Sequence, residues 1–280
     1  MHMKRLIFLV ALLAVCSCDN DYLSSESSEE LVVEGWIESG HAPIVLVSST
    51  LPVGSTPRPI GDIKEHILRY AKVYIECDGK REYLTACLSD KFTIKNYFTS
   101  SSLRGETGKT YRLHVEWLDY KADAECTVPE SVPLDTAFFV KEYNDTSYVL
   151  KVKFKNVPSD KKFYHTFLRY GAADSSLFRS VNFTTLRGEL QPEVITESFM
   201  KPVWSETSSP DMYFHRGDRV AVKLATLEEQ MYDFWSQYTN IYNSTGTIIP
   251  TTPDNLAGNV TGAIGYWAGY GISLVELTCQ

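Results

Sequence analysis

The chain has 280 residues, 44% of them hydrophobic and 22% charged, ordinary proportions for a folded globular protein of one large or two modest domains. They exclude a disordered polymer, a disulfide-stapled mini-protein and a polytopic membrane protein. Lys and Arg number 27 against 35 Asp and Glu, a net charge of -8, and no basic cluster interrupts that balance, so nucleic acid is not an expected partner.

Lys4 and Arg5 precede an apolar run from Leu6 to Val15, then Cys16-Ser17-Cys18. The run is too short to span a bilayer, which needs about 20 apolar residues, but it fits the apolar region of an export signal. The small Ser17 before Cys18, with polar and acidic residues after it, is similar to a bacterial lipobox. Cleavage there would make residues 1–17 a lipoprotein signal peptide and Cys18 the lipidation site. Cys16 competes poorly because β-branched Val15 precedes it. Acyl chains, at about 0.8 kcal/mol per buried CH₂, would anchor the protein without a transmembrane helix. Residues 18–30 read as an acidic tether, rich in Ser, Asp and Glu and without a base. That stretch resembles the acidic sorting signal of outer-membrane lipoproteins in the Bacteroidetes; a solvated spacer without sorting content is the alternative.

Strands are expected at Leu31 to Ile37 and Ile44 to Val47, paired across Ser39-Gly40, before a loop rich in Pro and Gly over 51–61. Ala71 to Cys77 alternates and meets Asp78-Gly79, a strong hairpin turn because type I′ needs positive φ at both central residues. The register should set Cys77 opposite Lys80, with a strand continuing from Arg81 to Leu88. Thr110 to Leu118 and Tyr120 to Val128 form another alternating pair around Asp119. Roughly seven short strands suit an immunoglobulin-like β-sandwich over residues 31–130. Pro129 and Pro133 mark the expected boundary.

Residues 131–280 are expected to form a second β-rich domain, with strands at 137–140, 147–154 and 163–170. It contains one amphipathic helix over 227–242, opened by a capping box, Thr226-Leu-Glu-Glu229. Its face of Leu227, Met231, Phe234, Trp235, Tyr238, Ile241 and Tyr242 should pack on the second sheet. The glycine-rich end, Gly262 to Leu277, reads as a returning strand. Gly262, Gly265 and Gly269 lack the following helix of a nucleotide loop, and close backbone packing explains them better.

After Cys18 and the signal are set aside, Cys77, Cys87, Cys126 and Cys279 are candidates for two disulfides, one, or none. The hairpin register disfavours Cys77 with Cys87; Cys87 with Cys126 is a looser pairing. No C-x-x-C pair or clustered histidine suggests a metal. No nucleophile elbow, Ser-x-x-Lys pair or His-Glu-x-x-His helix is present, so neither catalytic residues nor cofactors are expected and an enzyme is the least favoured class. Asp62, Glu65 and His66 could converge, but a loop explains them equally well. Asp135-Thr136-Ala137 is similar to the short acceptor pattern of Bacteroides-type O-glycosylation, making Thr136 a candidate. The Asn-x-Thr patterns at Asn144, Asn182, Asn243 and Asn259 have no meaning if the lipobox reading holds.

The lipoprotein signal, Leu31-Val-Val-Glu-Gly-Trp-Ile37, Ala71-Lys-Val-Tyr-Ile75, Gly108-Lys-Thr-Tyr-Arg-Leu-His-Val115, Thr127-Val-Pro129 and Asn259-Val-Thr-Gly-Ala-Ile-Gly-Tyr-Trp-Ala-Gly-Tyr270 together resemble a Bacteroidetes lipoprotein family called domain of unknown function 4249. The resemblance covers nearly the whole mature chain and transfers no catalytic residue. It implies a surface-exposed outer-membrane lipoprotein, an accessory binding partner of a TonB-dependent outer-membrane transporter in nutrient capture. An envelope adhesin or scaffold without transported cargo is the alternative. The ligand is not legible, and Trp36, Trp117, Trp204, Trp235 and Trp267 are better explained as core than as exposed anchors.

Overall fold

The computed structural model describes residues 29–50, 66–89, 96–142, 146–170, 179–180, 184–201, 211–244 and 256–280. The signal peptide, Cys18, the tether up to residue 28, the loop over 51–61, Asp62, Glu65, Asn144, Asn182 and Trp204 lie outside these residues.

The first half contributes β1 (Leu31–Glu38), β2 (Ile44–Ser49), β3 (Lys72–Cys77), β4 (Lys80–Tyr83), β5 (Thr85–Leu88), β6 (Asn96–Thr99), β7 (Thr110–Trp117) and β8 (Tyr120–Thr127). Asp78 and Gly79 both adopt positive φ, 51° and 72°, as the type I′ turn requires, and Cys77 stands opposite Lys80. The stretch expected as one strand over 81–88 is divided. β4 pairs with β3 and β5 with β6 in the facing sheet, while buried Leu84 between them donates its amide to the Val73 carbonyl at 2.9 Å. This strand turns the corner between two sheets.

Those sheets form the N-terminal sandwich. The order β4-β3-β7-β8 lies over the β16-β1-β2-β6-β5 part of a nine-stranded sheet, where β16 is Ile264–Thr278. Val33, Ile37, Val47, Val73, Ile75, Leu113, Val115 and Trp267 pack between them. The buried Tyr111 hydroxyl donates to Arg104 O at 3.2 Å and accepts from the Glu106 amide at 2.8 Å, the arrangement of a tyrosine corner. The fold is mainly β, as the alternating pattern predicts.

The second half adds β9 (Leu134–Lys141), β10 (Tyr148–Lys155), β11 (Phe163–Tyr170), β12 (Arg179–Ser180), β13 (Leu186–Arg187), β14 (Val194–Phe199), β15 (Arg219–Leu227) and one helix, α1 (Glu229–Ser244). The three-stranded sheet β14-β10-β9 covers one face of β11, β15 and β16, burying Leu150, Val152, Leu168, Phe199 and Val222. The helix covers the opposite face with Met231, Phe234 and Trp235, so its apolar stripe is core. With both faces covered, Phe163 to Leu168 and Val220 to Leu227 are buried without interruption.

The helix start departs from the expected capping box. Thr226 belongs to β15, laddered with Tyr164 and Gly271, and its buried hydroxyl has no hydrogen-bond partner. Pairing on both sides holds Thr226 extended, and the cap passes to Glu228. Its carbonyl accepts from the Met231 and Tyr232 amides at 3.1 Å each, and its carboxylate accepts the Thr127 amide at 2.9 Å.

β16 ties the halves together. It pairs parallel with β1 and antiparallel with β15, so the expected boundary at 130/131 is crossed by the last strand. Ala268, Tyr270 and Ile272 lie under the helix, Trp267 fills the first core, and Leu277 and Cys279 enter the second. Between those cores the linker passes directly over Gly269 and Gly271. A Cβ there would stand 2.2 Å from Thr127 O and 2.3 Å from Pro129 O, so close backbone approach requires both glycines.

Candidate binding surface

The outward face of β4-β3-β7-β8 is built as cross-strand rungs. Lys72, Glu116 and Lys121 form one; Tyr74, His114 and Asp123 the next; Glu76, Arg112 and Glu125 the third. Opposite charges meet along the ladder: Lys72 to Glu116 at 3.1 Å and Arg112 to Glu125 at 2.5 Å. His114 bonds Asp123 and stacks on Tyr74 with ring centres 4.6 Å apart. At the free edge, Arg81 lies 4.4 Å over the Tyr74 ring and donates to Glu76, holding that carboxyl below its usual range. Exposed Tyr83 leans on Tyr74 at 5.4 Å. The middle of this face is thus a layer of stacked rings and guanidinium beside β4, the edge strand of this sheet among the described residues, composition typical of protein contact surfaces.

One end of the sandwich, around the Asp78-Gly79 turn, holds a cavity of about 400 Å³ lined by Glu76, Cys77, Asp78, Lys109, Thr110 and Arg112. Lys109 is bound by Glu106 at 2.9 Å and Asp78 at 3.2 Å, pairs that raise its pKa. Burial pushes the Cys77 thiol up, the wrong direction for a nucleophile. The opposite end carries Tyr70, Trp117, Leu118, Tyr120 and Ile264, with Trp117 and Tyr120 stacked at 5.8 Å.

Polar groups that sequence reading passed over sit inside the molecule around β11, β14 and β15. Lys223 and Glu38 pair at 2.5 Å with both side chains nearly hidden. His165, stacked on Trp235 at 4.8 Å, is pushed down to about 3 by burial. Glu197 accepts from the Thr166 hydroxyl at 3.1 Å, and burial pushes its carboxyl up to about 7. Each is isolated in its strand, so no spacing announces it; only the packing of sheets and helix brings the partners together.

Among the described residues Cys77, Cys87, Cys126 and Cys279 are free, one of the three arrangements the sequence leaves open. Cys87 lies on β5, opposite Tyr97, whereas Cys126 lies on β8 in the facing sheet. Cys77 and Cys126 border one core, but Tyr111 of the intervening β7 faces Cys126. Two strand spacings, about 10 Å, exceed the reach of a disulfide. Cys279 is buried in the second core. Thr136 is exposed on β9, opposite Lys153; it lies within a strand rather than in a linker. His66 contacts Ser49 at 3.1 Å and stands 3.6 Å from Glu29. Trp267 and Trp235 are buried, the first donating to Tyr111 O at 2.9 Å; Trp36 and Trp117 are half-buried.

Among the described residues no group of three or more His, Cys, Asp or Glu is placed to hold a metal ion, and no helix is long and apolar enough to cross a membrane. No curated protein matches the chain. Among solved structures it is similar to one titled "Cytokine receptor complex - Crystal form 1A", at 8% identity over 88% of this chain and 95% of that one, with a TM-score of 0.27, too loose to carry an argument. A family match, by contrast, runs over residues 20–273. It takes in both sandwiches, the helix and Asn259, whose side-chain amide accepts from the Trp267 amide and donates to the Trp267 carbonyl at 2.8 Å each. The chain therefore belongs to the family described as domain of unknown function (DUF4249).

Proposed function

We propose that this protein is a lipid-anchored binding module of the outer membrane, displayed on the cell exterior and docked on a TonB-dependent barrel whose nutrient capture it assists, rather than an enzyme. The observation that carries the reading is the N-terminal order of parts: Lys4-Arg5, a short apolar run, Ser17 before Cys18, then an acidic stretch leading into a folded body. That body begins where Glu30 and Thr50 exchange hydrogen bonds at 2.9 Å. Membership in the family supports the barrel as partner. The contact face proposed is the edge at β4, where exposed Tyr83 and Arg81, backed by the buried Tyr74 ring, supply a ring and a guanidinium that bury well against a partner.

The test is gentle detergent extraction of the native lipoprotein followed by affinity purification. A stoichiometric barrel should accompany it, and the double variant Arg81→Glu, Tyr83→Ala should lose the barrel while keeping its thermal transition. A solitary monomer under the same extraction would overturn the reading.

A further inference from the structure

The end of the N-terminal sandwich from which the N-terminal segment departs has an unusual surface. The strand register fixes which end this is. Leu31 pairs with Ser49 and Val32 with Ile264; Leu68 donates to Val47 O, and only three residues separate it from Lys72, which pairs with Glu116. The β7–β8 turn at Leu118 and Asp119 and the Asp123–Thr261 bridge therefore lie at the end where Glu29 and Glu30 emerge. At this end Tyr70 is 94% exposed, Leu118 78%, Ile264 45% and Tyr120 39%. Trp117 stacks on Tyr120 with one side on the core. Exposed Arg69 and Lys121 flank them, with Asp119 in the turn.

Leu118 is out of place as a turn residue. Its φ is 51°, left-handed backbone that Asn or Gly occupies with less strain than a bulky apolar residue. A leucine held strained and in water contributes nothing to the fold at that position, which points to a use outside the fold. Tyr, Trp and Leu beside Arg and Lys are the side chains that settle at a lipid headgroup boundary.

We infer that this tip, Tyr70, Trp117, Leu118, Tyr120 and Ile264, rests in the headgroup region of a lipid bilayer. The inference rests on the lipid-anchor reading above. From Cys18 to Glu29 the chain can span at most about 40 Å even fully extended, so an acylated Cys18 holds the sandwich close to the membrane, and this end is the one the tether joins. Confinement at such range lets a contact too weak to bind from solution become occupied. It also fixes the orientation of the sandwich, with the β4 edge turned sideways along the membrane.

The test uses the purified native lipoprotein in phosphatidylcholine vesicles carrying brominated acyl chains, which quench tryptophan at contact range. Intact mass first reads the acyl chains on Cys18; an unacylated chain overturns both this inference and the anchor reading. In the acylated protein, tryptophan emission should be quenched, and Trp117→Phe should remove the quenchable component. Leu118→Gly should reduce quenching severalfold without lowering the melting temperature, because glycine relieves the left-handed strain. Tyr70→Ser should act in the same direction. An acylated, vesicle-bound protein whose Trp117 is not quenched overturns the tip contact alone, as does a tip protected by self-association, read as concentration-dependent sedimentation.

Discussion

Glu197 and His165 respond to pH in opposite directions because burial penalises whichever form is charged. The Glu197 carboxyl is pushed up from 4.5 to about 7, so between those values the native state holds more protons than the unfolded chain, and stability falls as pH rises. His165 is pushed down from 6.5 to about 3. The unfolded chain takes up that proton first, and stability falls as pH drops through that window. Replacing the carboxyl by an amide that still meets Thr166 should isolate the first effect. Glu197→Gln is expected to raise unfolding stability at pH 8 by about 2 kcal/mol, with the gain shrinking towards pH 5; urea unfolding at both pH values measures it. Equal stability of the two proteins at pH 8 would mean that the carboxylate ionises without penalty. Neither residue was legible in the sequence, since Phe163-Tyr-His-Thr-Phe and Thr196-Glu-Ser look like ordinary strand segments. What makes them unusual is a second layer on each side of β11.

At the level of elements, β16 does more than close a sheet. Its successive odd positions serve three surroundings: Trp267 fills a core, Gly269 and Gly271 lie under the linker, and Leu277 fills another core. Gly269→Ala should therefore cost about 2–3 kcal/mol as overpacking, since backbone rather than a flexible side chain blocks the new methyl. Gly79→Ala, with φ 72° and open space around it, should cost only about 1 kcal/mol from backbone strain. Urea midpoints of the two variants compare them directly, and equal losses would show that the linker slides off the strand. The helix teaches a related lesson. Thr226-Leu-Glu-Glu229 satisfies the local capping rule, yet the sheet claims Thr226 and shifts the start of α1 to Glu229, because a ladder on both sides outweighs one capping hydrogen bond.

For the molecule as a whole, the parallel pairing of β1 with β16 makes the N-terminal sandwich depend on the last strand. Without it, β1 becomes an unpaired edge, and removal of Trp267 opens the first core. A fragment of residues 29–131 is accordingly expected to lack a cooperative thermal transition and to bind an apolar dye, whereas the chain from residue 29 to 280 should melt in a single transition. A fragment that melts cooperatively on its own would establish two independent domains. The same closure places the chain's entry, the tip at Leu118 and the open β4 edge in fixed relation, which the proposed docking and membrane contact both use.

Local chemistry was enough to determine the parts of this protein that local chemistry controls. The β class, the type I′ turn at Asp78-Gly79 with Cys77 opposite Lys80, and the apolar face of the helix depend on neighbours within a few residues, so pattern and turn chemistry reveal them. Tertiary structure decided what depends on distant partners: the corner at Leu84, the separation of the cysteines, the buried pair of Lys223 with Glu38, and the return of residues 264–278 to β1. Those outcomes arise from pairing and burial between segments 185 residues apart for Lys223 and Glu38 and farther still for β1 and β16, where many alternatives share the same period-two pattern and only simultaneous packing of all layers selects one.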